Sequence, residues 1–286
     1  MCQGAMKKII SASRRTDLIA FFPEWLATAI NMEETKIFGP SGHTYKVDLS
    51  PQNVHTVVLW SKNFTNLIDN ISGLKDEFRK YDQLYLHFTI TGLGGSHIEP
   101  GVPRPAAVLS QLDSLIGIVG MPRRVSVRFD PIIYWRENDK ERTNLNFFEE
   151  LAPILQNKGI RDVRFSFAQW YNKAKRRATK EDFICVDPSL EKKVEDAKYL
   201  KQIAKTYGLN LYLCSQAFMS EASDVAPSSC IDGALLRELH PDRTPVSMKK
   251  DRTQRTECLC TKSVDIGSYT QVCPHCCIYC YANPKL

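Results

Sequence analysis

The chain has 286 residues, 43% of them hydrophobic, so it can bury a large core without disulfide crosslinks. Its formal net charge is +6, from 38 Lys and Arg against 32 Asp and Glu, which would suit a phosphate-bearing partner without establishing one. Residues 1–8 lack a signal-peptide pattern, and no stretch approaches the ~18 consecutive apolar residues of a membrane span, so we expect a cytoplasmic protein with no membrane partner. Because cytoplasmic cysteines stay reduced, the ten cysteines indicate metal or redox chemistry rather than a disulfide framework.

Short apolar runs rich in β-branched residues alternate with longer amphipathic segments from residue 8 to residue 215. This alternation is typical of parallel strands joined by crossover helices. Six strands are predicted, in chain order KIISAS (Lys8 to Ser13), VHTVVLW (Val54 to Trp60), LYLHFTIT (Leu84 to Thr91), RVSVRF (Arg124 to Phe129), VRFSFA (Val163 to Ala168) and LNLYLCS (Leu209 to Ser215).

Helices are predicted between these strands, where apolar residues recur at three- and four-residue spacing. They begin near Pro23, Phe64, Pro105, Asn144 and Ser189. The FGPSG segment between Lys36 and Ser50 predicts an inserted hairpin or an ordered loop. A last short helix is predicted near Asp232 to Leu239, after which the alternating pattern stops.

Together these elements predict an α/β fold, a partial (β/α)6 barrel of the TIM-like type formed by residues 1–240. Residues 241–286 form a polar, basic and cysteine-rich C-terminal tail. We expect this tail to close over the carboxyl ends of the strands as part of the same structural unit. In parallel sheets the reactive site lies at those strand ends.

Polar residues follow several of the predicted strands and would therefore line one face of the fold. The candidates for cofactor and substrate contacts are Arg14, Asp17, Lys62, Asn63, Glu99, Arg128 and Asp130. For any one of them a structural role is the simpler alternative, because loops at strand ends are usually polar. Arg128 differs because it lies inside a predicted strand, where a buried guanidinium needs a carboxylate or a ligand anion. An internal ion pair with Asp130, two residues later, is the alternative to substrate binding.

The C-terminal tail carries a C-x3-C-x2-C pattern formed by Cys273, Cys277 and Cys280. Three thiolates at this spacing suit a 4Fe-4S cluster whose fourth iron stays open for a substrate or cofactor. Cys276 also creates two adjacent C-x2-C pairs, which would suit structural zinc. However, Cys276 and Cys277 are neighbours, and such pairs usually need a longer spacer to reach opposite sides of one zinc ion.

Four more cysteines lie outside this pattern, namely Cys214, Cys230, Cys258 and Cys260. Four thiolates are the number that a second, fully ligated iron-sulfur cluster or a structural zinc requires. Alternatively, Cys214 is a small buried hydrophobic residue and the other three are free thiols.

The C-x3-C-x2-C pattern with Tyr279 just before its last cysteine resembles the signature of the radical S-adenosylmethionine (SAM) enzymes. That resemblance implies a partial barrel, a 4Fe-4S cluster held by Cys273, Cys277 and Cys280, and SAM bound at the open iron. It also implies reductive cleavage of SAM to a 5'-deoxyadenosyl radical, with an electron from a reductant such as a flavodoxin or ferredoxin. The YCYAN sequence resembles the branch that contains spore photoproduct lyase and other DNA-photolyase-like members, which implies a nucleotide or nucleic acid as substrate.

A closer resemblance covers nearly the whole chain and is to a bacterial family known as domain of unknown function 1848. The segments that carry it are IISASRRTD (Ile9 to Asp17), LWSKN (Leu59 to Asn63), FTITG with IEPGVP (Phe88 to Pro103), RFDPI (Arg128 to Ile132), CID (Cys230 to Asp232), and C-x-C followed by DIGSY (Cys258 to Tyr269). This resemblance implies a cluster loop moved from its usual place after the first strand to the C-terminal end. Cys276 departs from the pattern, because glycine is expected there. If its thiolate filled the fourth iron, SAM could not bind.

The sequence therefore leaves two hypotheses. The first is a radical SAM-like enzyme acting on an unknown substrate. The second is a zinc- or iron-sulfur-binding protein without SAM cleavage, which transfers electrons or presents the basic residues from Lys249 to Arg255 to nucleic acid.

Overall fold

The computed structural model describes residues 6–38, 43–268 and 270–282. The strands in these ranges are β1 (Lys8–Ala12), β2 (Glu34–Phe38), β3 (Thr44–Asp48), β4 (Val54–Ser61), β5 (Leu84–Thr89), β6 (Val125–Ile132), β7 (Tyr134–Glu137), β8 (Lys140–Thr143), β9 (Asp162–Phe167), β10 (Ile184–Val186), β11 (Asn210–Leu213), β12 (Ala226–Pro227) and β13 (Val264–Asp265). The α-helices are α1 (Leu18–Phe21), α2 (Pro23–Asn31), α3 (Thr65–Ile68), α4 (Leu74–Phe78), α5 (Pro105–Leu109), α6 (Leu112–Val119), α7 (Phe147–Asn157), α8 (Asn172–Lys180), α9 (Leu190–Thr206), α10 (Ser220–Ser223) and α11 (Gly233–Leu239).

The main sheet has eight parallel strands in the order β13-β1-β4-β5-β6-β9-β11-β12. All six predicted strands belong to it and follow one another in chain order, which is the strand order of a βα barrel. Within the described ranges β12 and β13 lie at opposite edges and do not pair, so the sheet is open. The α/β class with a large parallel sheet is confirmed, and the partial barrel stays a prediction.

Side chains alternate between the two faces of this sheet, as the pleat requires. On one face Val57 and Leu59 belong to a large core that includes Leu26 of α2, Leu115 of α6 and Leu151 of α7. The crossover helices therefore cover this face.

The other face of the sheet has a smaller apolar cluster, in which Ile9, Val58 and Tyr85 pack with Ile231 and Leu236. The alternate strand positions on this same face are polar or aromatic at several points. We call it the polar face and define it by Ser11, Trp60, His87, Arg128 and Arg164. Such residues are rarely placed in a core without partners, so this face is where a site is expected.

Several local predictions can be compared directly with the structure. The hairpin is confirmed as the antiparallel pair β2 and β3, although residues 39–42 of the FGPSG segment lie outside the described ranges. Helices begin at Pro23 and Pro105, where the first turn tolerates the missing N–H of proline. Ser189 caps α9 by accepting a hydrogen bond from the Lys192 N–H at 3.3 Å. The sequence did not predict the antiparallel sheet formed by β10, β7 and β8.

The C-terminal tail is joined to the sheet rather than merely attached to it. Its strand β13 pairs with β1 through Ile10 with Val264 and Ser11 with Asp265. Near the start of the tail, the Thr244 carbonyl lies 2.9 Å from His55 Nε2 of β4. No helix in the described ranges is long and apolar enough to cross a membrane.

Candidate functional site

The segment from Cys273 to Cys280, which we call the cysteine loop, packs against the loop that follows β5. The Gly101 N–H donates to the His275 carbonyl at 3.1 Å, and His275 Nδ1 lies 2.9 Å from the Gly101 carbonyl. A Cβ atom on Gly101 would lie only 2.3 Å from the Pro274 carbonyl oxygen. Glycine is therefore required at position 101, because the two backbones approach too closely for any side chain.

His275 connects the cysteine loop to the carboxyl end of β1. Its Nε2 lies 2.8 Å from Asp17 Oδ2, so each of its ring nitrogens faces an acceptor oxygen. Asp17 also accepts hydrogen bonds from the Ala20 N–H at 3.0 Å and from Ser61 Oγ and the Lys62 N–H, each at 2.9 Å. This carboxylate therefore joins β1, α1, β4 and the cysteine loop.

Glu99 is a fully buried carboxylate beneath the cysteine loop. Its Oε1 accepts hydrogen bonds from Lys62 Nζ and Thr91 Oγ1, each at 2.8 Å, and from the Tyr279 hydroxyl. Its Oε2 is buried and has no hydrogen-bond partner among the described residues. Burial, the largest single influence, would lower the pKa of Lys62, but the charge of Glu99, the charge of Cys277 and the hydrogen bond to Glu99 together outweigh it, so the pKa is raised.

The three predicted cluster ligands are thiols whose charged forms are disfavoured by burial. Burial raises the pKa of Cys273 to about 12 and also raises the pKa of Cys277 and of Cys280. The positive charge of Lys62 opposes this shift at Cys277 and at Cys280. A bound metal would have to displace these thiol protons, which makes binding stronger as the pH rises.

Arg177 holds the end of the cysteine loop in place. Its Nη1 donates to the carbonyls of Cys277, Ile278 and Cys280 at 3.3, 2.9 and 2.9 Å. This role was not predicted, because Arg177 belongs to a run of basic residues from Lys173 to Lys180, and such a run is more often a solvated helix face. Its only distinguishing signal is its place on the helix face that also buries Ala174 and Ala178.

Cys276, the residue that departs from the family pattern, has a left-handed backbone with φ of +55°. Glycine adopts this conformation freely, whereas another residue costs about 1–2 kcal/mol there. The expectation of glycine at this position therefore has a physical reason in the turn between Cys273 and Cys277.

The other four cysteines come together on the polar face, and we call them the four-cysteine cluster (Cys214, Cys230, Cys258 and Cys260). The Sγ atoms of Cys214 and Cys230 are 3.4 Å apart. Hydrogen bonds between side chains join Cys230 to Cys260 and Cys260 to Cys258. The alternative in which these residues are unrelated thiols is thus disfavoured, since residues 16 (230 − 214) and 30 (260 − 230) positions apart are in contact.

Arg128 links this cluster to Asp130. Its Nη2 donates to Asp130, which is the internal ion pair that the strand spacing suggested, while its Nη1 donates to Cys230 Sγ at 2.8 Å. The guanidinium groups of Arg14 and Arg128 each lie 5.3 Å from the centroid of the Trp60 ring. Trp60 also stacks on His87, with ring centroids 4.2 Å apart. Sequence reasoning missed Trp60, although it lies within the LWSKN segment.

The predicted site residues therefore fall into two groups. Asp17, Lys62 and Glu99 lie beneath the cysteine loop, whereas Arg14, Arg128 and Asp130 lie beside the four-cysteine cluster. Asn63 belongs to neither group, because its Oδ1 accepts hydrogen bonds from the Thr65 N–H at 3.1 Å and from Gln111 Nε2 at 2.9 Å. Its role as a cofactor contact stays a prediction.

In the described ranges, no set of three or more His, Cys, Asp or Glu side chains is arranged to hold a metal ion as it stands. Both cysteine sets nevertheless have the donor chemistry that thiophilic metals need. The cysteine loop offers three thiols in one short turn beside a lysine and a buried carboxylate with a free oxygen. The residues thus fit a cluster with an open position by donor type, after deprotonation and side-chain rotation.

One comparison with known proteins gives a match. The family model described as "Domain of unknown function (DUF1848)" matches residues 9–282, a range that includes both cysteine sets and every predicted strand-end residue. No curated protein matches the sequence. Of the motifs quoted above, Tyr269 in DIGSY and Asn283 in YCYAN lie outside the described residues.

Proposed function

The chain belongs to the DUF1848 family, and from this premise we propose that it is a radical SAM-like iron-sulfur enzyme. The observation that supports this most directly is the docking of the cysteine loop over the carboxyl ends of β1 and β4. There Asp17 and Lys62 contact the loop through His275 and Tyr279. Reactive sites of parallel sheets lie at such strand ends.

Cys273, Cys277 and Cys280 would hold three irons of a 4Fe-4S cluster. When bound, such a cluster supplies the electron that cleaves SAM to methionine and a 5'-deoxyadenosyl radical. The positive charges around the loop would favour the thiolate form of Cys280, because Lys62 and Arg177 both oppose the rise in its pKa that burial causes.

Glu99 and Lys62 would bind the methionine moiety of SAM. The unpartnered Oε2 of Glu99 would accept a hydrogen bond from the amino group, and Lys62 would pair with the carboxylate. Because Oε2 is buried, side chains packed over Glu99 would have to move when the ligand enters, and Tyr279 is one that contacts this carboxylate. Arg14, Arg128 and Asp130 would then face the substrate side of the polar face.

A nucleotide or nucleic acid is the proposed substrate class. Beside the cysteine loop, the guanidinium of Arg255 lies 5.5 Å from the centroid of the Tyr171 ring and 5.3 Å from that of Tyr281. Both tyrosines are exposed, at 40% and 53%. Exposed aromatic rings beside arginine are the features on which unpaired bases stack.

The test is purification without oxygen, followed by iron and sulfide analysis. The protein is then reduced with dithionite in the presence of SAM, and 5'-deoxyadenosine is measured by mass spectrometry. We expect about four irons per chain in the C-terminal site and formation of 5'-deoxyadenosine. Cys273→Ala should lose both, whereas Cys185→Ala, a half-buried cysteine outside both sets, should lose neither.

Two results would count against this proposal. A protein that carries zinc but no iron would contradict it, as would a cluster that survives Cys273→Ala. A cluster that never cleaves SAM would instead support electron transfer with Cys276 as a fourth ligand. In that case Cys276→Gly should free the fourth iron and allow SAM cleavage, and it should be tolerated because position 276 has φ of +55°.

A further inference from the structure

We propose that the four-cysteine cluster is a separate metal site that binds one Zn²⁺ ion with tetrahedral geometry. This inference does not rest on the proposed enzymatic function. Its basis is the convergence of four thiols from the end of β11, the segment before α11 and the C-terminal tail. Zinc bound by four cysteines is the usual closed, structural type of site.

The spacing of the thiols favours a single ion over a second iron-sulfur cluster. With Zn–S bonds of about 2.3 Å, the sulfurs of a tetrahedral site are about 3.8 Å apart. The Sγ atoms of Cys214 and Cys230 are already 3.4 Å apart, close to that edge length. A four-iron cube stands between its cysteine sulfurs and would hold them well beyond contact.

The thiols are linked in a chain, from Cys214 to Cys230, Cys260 and Cys258, rather than arranged about one point. Without metal, each thiol satisfies its neighbour by a hydrogen bond. Changing a cysteine χ1 angle from one staggered rotamer to another is enough to turn a thiol from its neighbour toward the centre of the four. Zinc binding would replace the thiol protons and release them to solvent.

Two N–H donors from outside the four thiols point at their sulfur atoms, as a site built from thiolates requires. The Ile231 N–H donates to Cys260 Sγ at 3.4 Å, and Arg128 Nη1 donates to Cys230 Sγ at 2.8 Å. Such donors to the ligand atoms stabilise their charged form.

The local charge also suits a bound zinc. Four thiolates and one Zn²⁺ carry a net charge of −2, and Arg14 and Arg128 both lie beside them. Arg14 Nη1 donates to Ser263 Oγ at 3.3 Å, but its Nη2 is buried without a hydrogen-bond partner in the part of the chain that the structure describes. A buried donor left unpaired is costly, and an anionic zinc site would satisfy it electrostatically.

The consequence is a crosslink that fixes the course of the C-terminal tail. It would join Cys214 and Cys230 to Cys258 and Cys260, which lie just before β13 and 13 residues (273 − 260) before the cysteine loop. Restricting the unfolded chain in this way stabilises the folded state, as other crosslinks do. The proposed role is therefore structural, since it positions the cysteine loop over the strand ends.

The test is metal analysis of the unmodified protein, of two variants that separate the sites, and of one control variant. Mass spectrometry of the metals should find one zinc per chain, and it should remain in the triple variant Cys273→Ser, Cys277→Ser, Cys280→Ser. Cys258→Ser should lose the zinc, and Cys185→Ser should keep it. Replacement by Co²⁺ should give the absorption bands of a tetrahedral four-thiolate site.

If Cys258→Ser does not fold, X-ray absorption at the zinc edge of the unmodified protein decides, with four sulfurs expected at about 2.3 Å. Iron retained by the triple variant would overturn the zinc assignment. So would a wild-type protein that lacks stoichiometric zinc and has a disulfide between Cys214 and Cys230. The triple variant removes only the ligands in the cysteine loop. The zinc content of the four-cysteine cluster can therefore be interpreted even if the enzymatic proposal fails.

Discussion

One oxygen of the buried Glu99 carboxylate is bound by residues from distant parts of the chain. Lys62 follows β4, Thr91 follows β5, and Tyr279 belongs to the C-terminal tail, and all three donate to Glu99 Oε1. A carboxylate with no exposed surface is tolerated only when it is paired in this way. At the scale of residues, the candidate site is therefore held together by charge.

Lys62→Met should be strongly destabilising, because it leaves the Glu99 charge buried without its cation. We expect a loss of about 3–5 kcal/mol in the free energy of unfolding, measured by urea denaturation. The double variant Lys62→Met, Glu99→Gln should recover part of the loss. Lys80→Met, which breaks the more exposed pair with Glu77, should cost no more than about 1 kcal/mol. Equal losses of unfolding free energy for Lys62→Met and Lys80→Met would show that the buried ion pair stabilises the fold no more than the exposed pair does.

At the scale of elements, the close approach between the cysteine loop and the loop after β5 depends on backbone contacts. Gly101 makes it feasible, and His275 and Arg177 hold the loop from two sides. Arg177 and Asp17 belong to different elements, α8 and the cap of α1, so the loop acts as a bridge between them. Docking of the loop is thus a property of several elements together.

Gly101→Ala should displace the cysteine loop, because its Cβ would lie 2.3 Å from the Pro274 carbonyl oxygen. We expect faster limited proteolysis after residue 270 and loss of the iron assigned to the loop. The matched control is Gly117→Ala within α6, where a Cβ meets no described atom within 4 Å. That change should stabilise the protein by about 0.5–1 kcal/mol, through higher helix propensity. A loop that remains protected in Gly101→Ala would show that the backbone contact is not needed for docking.

At the scale of the whole molecule, the C-terminal tail returns to the sheet at three places. It reaches β4 through Thr244, it forms the four-cysteine cluster on the polar face, and it adds β13 beside β1. The tail thus covers the polar face while the crossover helices cover the opposite face. Its attachment should be sensitive to pH, because His55 and His240 lie where it first meets the sheet.

Burial lowers the pKa of His55 from its usual 6.5 to about 4, opposed by its hydrogen bond to the Thr244 carbonyl and assisted by the nearby charges of His240 and Lys7. A histidine whose pKa is lower in the folded state binds its proton more readily when unfolded. The contribution of His55 to the free energy of unfolding should therefore be fully present above pH 6.5. It should fall by up to about 3 kcal/mol as the pH drops to 4.

Urea denaturation at a series of pH values checks this prediction. In His55→Gln the slope of stability against pH between pH 6.5 and 4 should become smaller, because the imidazole of residue 55 is no longer there to bind a proton. An unchanged slope in that variant would assign the pH dependence to His240 and other groups.

The sequence by itself determined the six parallel strands, the hairpin, the family, and the two sets of cysteines. These features depend on local periodicity and on spacing within short segments, which a linear pattern preserves. The expectation of glycine at position 276 came from the family resemblance, and the left-handed backbone at Cys276 gives its physical cause.

Only the tertiary structure decided which residues meet. His275 contacts Asp17 across 258 positions, Arg177 binds carbonyls about 100 positions away, and the four-cysteine cluster forms across three segments. It also revealed that β13 extends the sheet and that Asn63 is used by local hydrogen bonds. The physical reason is that hydrophobic periodicity specifies which face of an element is buried, whereas contacts between buried polar groups depend on how the elements are placed against one another.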